Sequence, residues 1–173
     1  DRLEEGIDER AALFVRENGK TLAEARGEIA GAPKRQRLTM DLAAEFDAER
    51  TVEAPRGRSW VVDLPYGVVV SIVPWNSPIS LGFAQVISAL FAGNAVVLKP
   101  PETCPLALSR SVEAVIDLLP PGLLNVVTGL PTEIGDALTG HPDVGKIGFT
   151  GSISSAKRIM AQAAGTIKGV TLE

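Results

Sequence analysis

From Tyr66 onward the chain alternates short β-branched runs with helix-length segments, and this alternation restricts the fold more than any other feature of the sequence. The runs are "VVVSIV", "NAVVLK", "LLNVVT", "GKIGF" and "IKGVTLE". Between them lie "SLGFAQVISALFAG", "PLALSRSVEAVIDLL", "TEIGDALTG" and "SISSAKRIMAQAAG". Strands without a polar face are buried on both sides, and strands separated by helices pair in parallel through right-handed crossovers. The expectation is an α/β protein built on a Rossmann-like, doubly wound parallel sheet. Just before it, "RGRSWVVDLP" has the alternation of an isolated strand and is expected to form part of a β-arm.

The first fifty residues differ in character. They hold 21 of the 38 charged side chains among 173 residues, so a solvated helical lead-in precedes a more buried body. Leu3, Ile7, Ala11 and Phe14 fall on one helical face, and Gly19 is a natural stop. Thr21 with Glu24 forms a capping-box pattern that starts a second helix. A third helix is predicted over about Lys34–Glu49, within the usual boundary error of roughly 2 to 4 residues. The chain starts inside a helix-like pattern without a cap, so a preceding portion is expected.

Composition removes several function classes. A net charge of -4 leaves no basic footprint, and no nucleic-acid partner is expected. The longest uncharged stretch, Leu64 to Leu98, is interrupted by Pro65, Pro74, Asn76, Pro78, Gly82, Gln85 and Asn94, which argues against a membrane span. One cysteine and one histidine exclude an internal disulfide, fit a reducing compartment and make a metal site unexpected. No secretory signal opens the sequence, and a cytoplasmic location is the default.

In open parallel sheets ligands bind beyond the carboxyl ends of the strands. Four of these ends are unusual: "PWN" after the first run, "KPPE" after the second, "TGS" after the fourth, and Glu173 at the fifth. "GFTGS", with Ser152 before a helix, suits a phosphate at a helix N-terminus, and equally suits an ordinary N-cap. Lys99 and Glu102, on a loop stiffened by two prolines, form either a ribose-binding pair or a solvated loop. Asn76 is an oxyanion donor or a turn residue, with Trp75 a flat wall beside it. Cys104 reads as a small buried residue, since no histidine pairs with it locally, and His141 as a surface turn residue. "GHPDVGKI" has the glycine and lysine spacing of a phosphate-binding P-loop but precedes a strand and has Ile147 where that motif needs Ser or Thr.

In order, "GVVVSIVPWNSPI", "GNAVVLKPPETCPL", "NVVTG", "GKIGFTGS" and "VTLE" resemble the cofactor-binding half of the aldehyde dehydrogenase superfamily, and "RENGKTLAEARGEI" is similar to that family's early helices. The resemblance covers nearly the whole chain. It implies an incomplete aldehyde dehydrogenase fold: residues 1–50 as N-terminal helices, 51–65 as a partial oligomerisation β-arm, and 66–173 as an NAD(P)-binding core cut before the catalytic domain. It also implies NAD(P)-dependent oxidation of a small-molecule aldehyde to a carboxylic acid. In that family a cysteine thiolate forms a thiohemiacetal, hydride passes to nicotinamide, and water hydrolyses the resulting thioester.

Carried over by motif, Asn76 matches the oxyanion donor and Glu173 the general base. Lys99 and Glu102 match the residues at the adenosine ribose, Ser152 with Gly151 the pyrophosphate turn, and Ile72, Val73 and Trp75 the wall beside the cofactor. Gly129 opens the segment in which the family often has a second glycine, where Pro131 stands here. Glu102 favours NAD over NADP, because a carboxylate accepts from a 2'-hydroxyl and repels a 2'-phosphate; use of NADP stays compatible. The family's nucleophilic cysteine lies beyond the general base, and Cys104 does not occupy its position, so this chain alone is expected to be catalytically incomplete. The intact parent is expected to be a homodimer or homotetramer. The alternative readings are a non-catalytic nucleotide-binding or regulatory module, and an inactive fragment.

Overall fold

The computed structural model describes residues 2–44 and 50–173. Two helices, α1 (Ile7–Asn18) and α2 (Leu22–Ala44), precede an antiparallel hairpin of β1 (Arg50–Ala54) and β2 (Gly57–Val61). The remaining elements alternate as the sequence pattern predicts: β3 (Val68–Ile72), α3 (Pro78–Phe91), β4 (Ala95–Lys99), α4 (Leu106–Glu113), a 3-10 turn over Ile116–Leu118, β5 (Leu124–Val126), α5 (Pro131–Thr139), β6 (Val144–Phe149), α6 (Ile153–Ala164) and β7 (Gly169–Leu172). The last five strands form one parallel sheet in the order β5-β4-β3-β6-β7.

The chain winds outward from β3 through β4 to β5, then returns to place β6 on the other side of β3. Right-handed crossovers in opposite directions put their helices on opposite faces. The buried side chains divide accordingly. On one face Val96, Leu98 and Leu124 pack with Ile79 and Phe83 of α3, Leu108 of α4, and Phe14 and Ile29 of the lead-in helices. On the other, Val70, Ile147 and Phe149 pack with Ile159 and Ala163 of α6. Full burial of a side chain such as Phe14 or Ile29 contributes about 1.5 to 3 kcal/mol.

Local signals in the lead-in are realised in detail. Gly19 ends α1 with φ 84°, its N–H donating to the Val15 carbonyl. Ala11 and Phe14 are fully buried on the predicted face; Leu3 is buried too, but lies before the helix. The Thr21 N–H donates to the Glu24 carboxylate at 3.0 Å, and the Glu24 N–H to the Thr21 hydroxyl at 3.3 Å, closing the capping box. Glu17 reaches from α1 to accept the N–H groups of Leu106 and Ala107 at 2.8 and 2.7 Å. It thereby caps α4, whose N-cap residue, Pro105, has no side-chain acceptor.

Two expectations change. No separate helix begins near Lys34: α2 runs unbroken from Leu22 to Ala44 through Pro33, and residues 45–49 of the expected third helix lie outside the described residues. A proline within a helix costs about 3 kcal/mol, but Ala25, Ile29, Ala32 and Gln36 keep one buried face across it, and that packing outweighs the local penalty. The arm strand has a partner that the sequence pattern did not reveal, since every residue of β1 and β2 is exposed and the hairpin stands on pairing instead of burial. Among the described residues no helix is long and apolar enough to cross a membrane, and no group of His, Cys, Asp and Glu side chains could hold a metal.

Gly145 occupies a bulge where the β3–β6 register shifts, and a Cβ there would overlap the Tyr66 carbonyl. Gly27 of α2 has open space around it. Gly145→Ala is therefore expected to destabilise by about 1 to 3 kcal/mol, and Gly27→Ala to stabilise by up to about 1 kcal/mol, read from paired chemical-denaturation curves.

Candidate functional site

The sheet reverses its winding between β3 and β6, and the crevice beyond their carboxyl ends is where open α/β sheets take ligands. Register sets the geometry there. Ile72 pairs with Lys99 of β4 on one side and Phe149 of β6 on the other, so three strand ends finish at one level. The Val73 N–H still donates to the Lys99 carbonyl at 3.3 Å, and the Thr150 N–H to the Ile72 carbonyl at 3.2 Å. Pro74 has no donor to continue the ladder, and the connections diverge.

The divergence opens a cleft of about 420 Å³. Its wall includes Ile72, Val73 and Trp75 from the end of β3, Lys99 and Glu102 from the end of β4, and Gly151 and Ser152 before α6. Seven of the ten residues singled out from sequence thus meet in one cavity. Three do not line it. Asn76 is exposed in the β3–α3 connection, one residue past Trp75. Gly129 lies before α5, where a Cβ would press on the Ile134 side chain. Glu173 lines a separate groove of about 390 Å³ on the α3 side of the sheet. Phe149 and Thr150 border both cavities.

Each wall residue is held by identifiable contacts. Lys99 is 4% exposed and its ammonium donates to the Glu102 carboxylate at 2.9 Å. That hydrogen bond holds the Glu102 carboxyl below its ordinary value of 4.5, against the opposing effect of partial burial. Ser152 realises the capping reading: its hydroxyl accepts the Ser155 N–H at 3.3 Å. It also lines the cleft, so capping and ligand contact share one residue. A Cβ at Gly151 would sit 2.6 Å from the Phe149 ring, which reserves that turn for glycine. Across the strand tips, the Thr150 hydroxyl donates to the Glu173 carboxylate at 3.3 Å.

Several wall residues escaped the sequence reading. Ser155, Arg158, Ile159 and Gln162 present one face of α6 to the cleft, at a helical spacing that a search for more than the strand ends would have found. The Arg158 guanidinium and the Gln162 amide clamp Asp136 of α5 at 2.7 and 2.6 Å, and these hydrogen bonds hold the Asp136 carboxyl below its ordinary range. Cys104 is buried, with the Asn18 amide 3.3 Å from its sulfur, as expected of a packed residue. His141 is exposed in its turn, its Nδ1 accepting the Asp143 N–H at 3.2 Å.

Comparison with known proteins adds an independent line. The model of the aldehyde dehydrogenase family matches residues 1–173. The chain is 40% identical to the mitochondrial succinate-semialdehyde dehydrogenase of Arabidopsis thaliana, over 96% of this chain and 32% of that protein. It superposes on lactaldehyde dehydrogenase from Escherichia coli with a TM-score of 0.92 at 32% identity, covering 99% of this chain and 36% of that one. It superposes equally well, at 0.91 and 31% identity, on betaine aldehyde dehydrogenase from Staphylococcus aureus in complex with NAD+, covering 100% and 35%. The chain spans about a third of the length of the curated relatives it matches.

Because the folded Glu102 carboxyl ionises at lower pH than an unfolded one, its pairing with Lys99 stabilises fully above about pH 4.5 and is lost as pH falls through the lowered folded value. Glu102→Gln should melt below the wild type at neutral pH, and the gap should close as the buffer is taken from about pH 5 to about pH 3. A series of thermal melts reads this directly.

Proposed function

Since this chain belongs to the aldehyde dehydrogenase family, we propose that it supplies the dinucleotide-binding part of an enzyme that oxidises an aldehyde to its carboxylic acid. The observation that carries the reading is the cleft at the β3/β6 reversal, which gathers Ile72, Val73, Trp75, Lys99, Glu102, Gly151 and Ser152 on one wall. Its donor set fits a nicotinamide dinucleotide. Lys99 and Glu102 offer a cation and a carboxylate to ribose hydroxyls, and the N-terminus of α6 with Ser152 offers N–H and hydroxyl donors to a pyrophosphate. Apolar side chains at Ile72 and Val73 and the exposed Trp75 ring would cover the flat parts of the molecule. When bound, the dinucleotide supplies the oxidising equivalent; the residues of this chain bind it, orient it and handle charge and protons around it.

Asn76 is assigned to the substrate side. Asn76 is exposed in the connection that follows Pro74, and its amide would donate to the oxygen that gains negative charge when a thiolate adds to the aldehyde. Glu173 is assigned as the base that takes a proton from the hydrolytic water, its carboxylate steadied by the Thr150 hydroxyl. The attacking thiolate is assigned to a cysteine outside these 173 residues, since Cys104 is buried at the Trp75 carbonyl. Gly129 keeps a backbone role near the cleft mouth, beside Pro131, which lines it.

We assign the lead-in helices α1 and α2 to a support of the sheet, the hairpin and the residues that follow it up to 65 to an arm for contacts between subunits, and 66–173 to the dinucleotide-binding core. The arm exposes Trp60, Val62 and Leu64, an apolar row that a dimer or tetramer would cover.

Two measurements test the reading on the full-length protein. Asn76→Ala should lower kcat by about 100- to 1000-fold while leaving dinucleotide affinity near that of the wild type; unchanged turnover would remove the oxyanion role. Calorimetric titrations should show tighter binding of NAD than of NADP, and Glu102→Gln should narrow the difference by removing the charge that repels a 2'-phosphate.

A further inference from the structure

The connection that carries Asn76 is pinned from outside the sheet, on both sides of Asn76. Before it, the Asn18 side-chain amide, in the last turn of α1, donates to the Trp75 carbonyl at 2.7 Å. After it, the Glu28 carboxylate of α2 accepts the backbone N–H groups of Ile79 and Ser80, both at 3.0 Å. These are orphan donors of the first turn of α3, whose own N-cap residue, Ser77, makes no side-chain cap and whose Pro78 has no N–H to give. Glu28 is 8% exposed, and the Lys20 ammonium, bound to its other oxygen, balances its charge. Between the anchors the Asn76 side chain makes no hydrogen bond among the described residues.

A generic surface cap would not need a carboxylate taken almost wholly out of water and matched by a lysine. Burying a charge is costly unless it is paired and hydrogen-bonded, and here three donors meet it. A cap provided by Ser77 would fix only the start of α3 relative to itself. A cap provided by α2 fixes it relative to the lead-in helices, and Asn18 fixes Trp75 to the same pair. The span from Trp75 to Ser80 is therefore clamped as a unit.

We propose that Asn18 and Glu28 are positioning residues that set where the Asn76 amide stands, so that the lead-in helices tune the chemistry and not only cover the sheet. This rests on the assignment of Asn76 given above. A displacement of about 1 Å in a catalytic donor can cost up to about 100-fold in rate, and these contacts are the ones that would resist it.

The test uses the full-length protein with NAD and the fastest wild-type substrate from a panel running from propanal to benzaldehyde. Asn18→Ala and Glu28→Ala should each lower kcat about tenfold with the dinucleotide Kd within about twofold of the wild type. Glu28→Gln keeps the acceptor oxygen for Ile79 and Ser80 but turns its amide NH2 toward the Lys20 ammonium, and should recover part of the loss. In an Asn76→Ala background neither substitution should cause further loss, because both act through that amide. Unchanged kcat in folded Asn18→Ala and Glu28→Ala, or losses that multiply with that of Asn76→Ala, overturns the proposal. If Glu28→Ala fails to fold, Asn18→Ala, which removes a half-buried amide at the end of α1 and no buried charge, decides alone. Full turnover by Asn76→Ala, or no oxidation of any aldehyde by the wild type, instead removes the assignment on which the proposal rests.

Discussion

The pairing of β3 on both edges, with β4 on one side and β6 on the other, is the constraint on which the rest of the structure depends. Because the chain leaves β3 in one direction and comes back in the other, helices must occupy both faces, and the sheet must be apolar on both. The same reversal separates the connections after β3 and β6 and leaves a crevice that no side chain of the sheet can fill. Register then decides what stands at its edge: Ile72, Lys99 and Phe149 end together, and the residues just beyond them become the wall. Fold and site are one consequence of a single strand order.

The two lead-in helices turn that arrangement into a rigid one. Glu17 and Glu28 each cross to the start of a helix of the core, α4 and α3, and satisfy backbone donors whose own N-cap side chains do not. A carboxylate at a helix N-terminus also meets the positive end of the helix dipole. The charge-rich beginning of the sequence is thus not merely a solvated cover. Part of its charge is spent inward, at the starts of the two helices whose preceding connections carry Trp75 and Glu102 to the cleft.

How much of this was legible in the sequence follows from the range of each interaction. The five β-branched runs became the five strands of the sheet; burial marks β3, β4 and β6 most plainly, while the edge strands β5 and β7 are partly exposed. Gly19, the Thr21–Glu24 box and the Ser152 cap were readable because each involves residues within four positions of one another. The Lys99–Glu102 pair, three residues apart, belongs to the same class. What escaped was held by distance or by pairing alone. Glu17 meets Ala107 across 90 residues and Glu28 meets Ile79 across 51, separations that no local pattern encodes. The strand Arg50–Ala54 is exposed throughout, and five residues with one β-branched apolar side chain among them give too short a pattern to betray it. Pro33 reads as a break until the buried face of α2 is known to continue past it.

The central claim is that the crevice at the β3/β6 reversal is the dinucleotide site. Hydrogen–deuterium exchange of the full-length protein with and without NAD addresses it most directly, since it reports where the backbone is protected without presuming a role for any one side chain. The account predicts slower exchange in residues 73–76, 99–103 and 150–155, with the hairpin at 57–61 unaffected. Protection confined to the groove between α3 and β7, or none at these three strand ends, would contradict it.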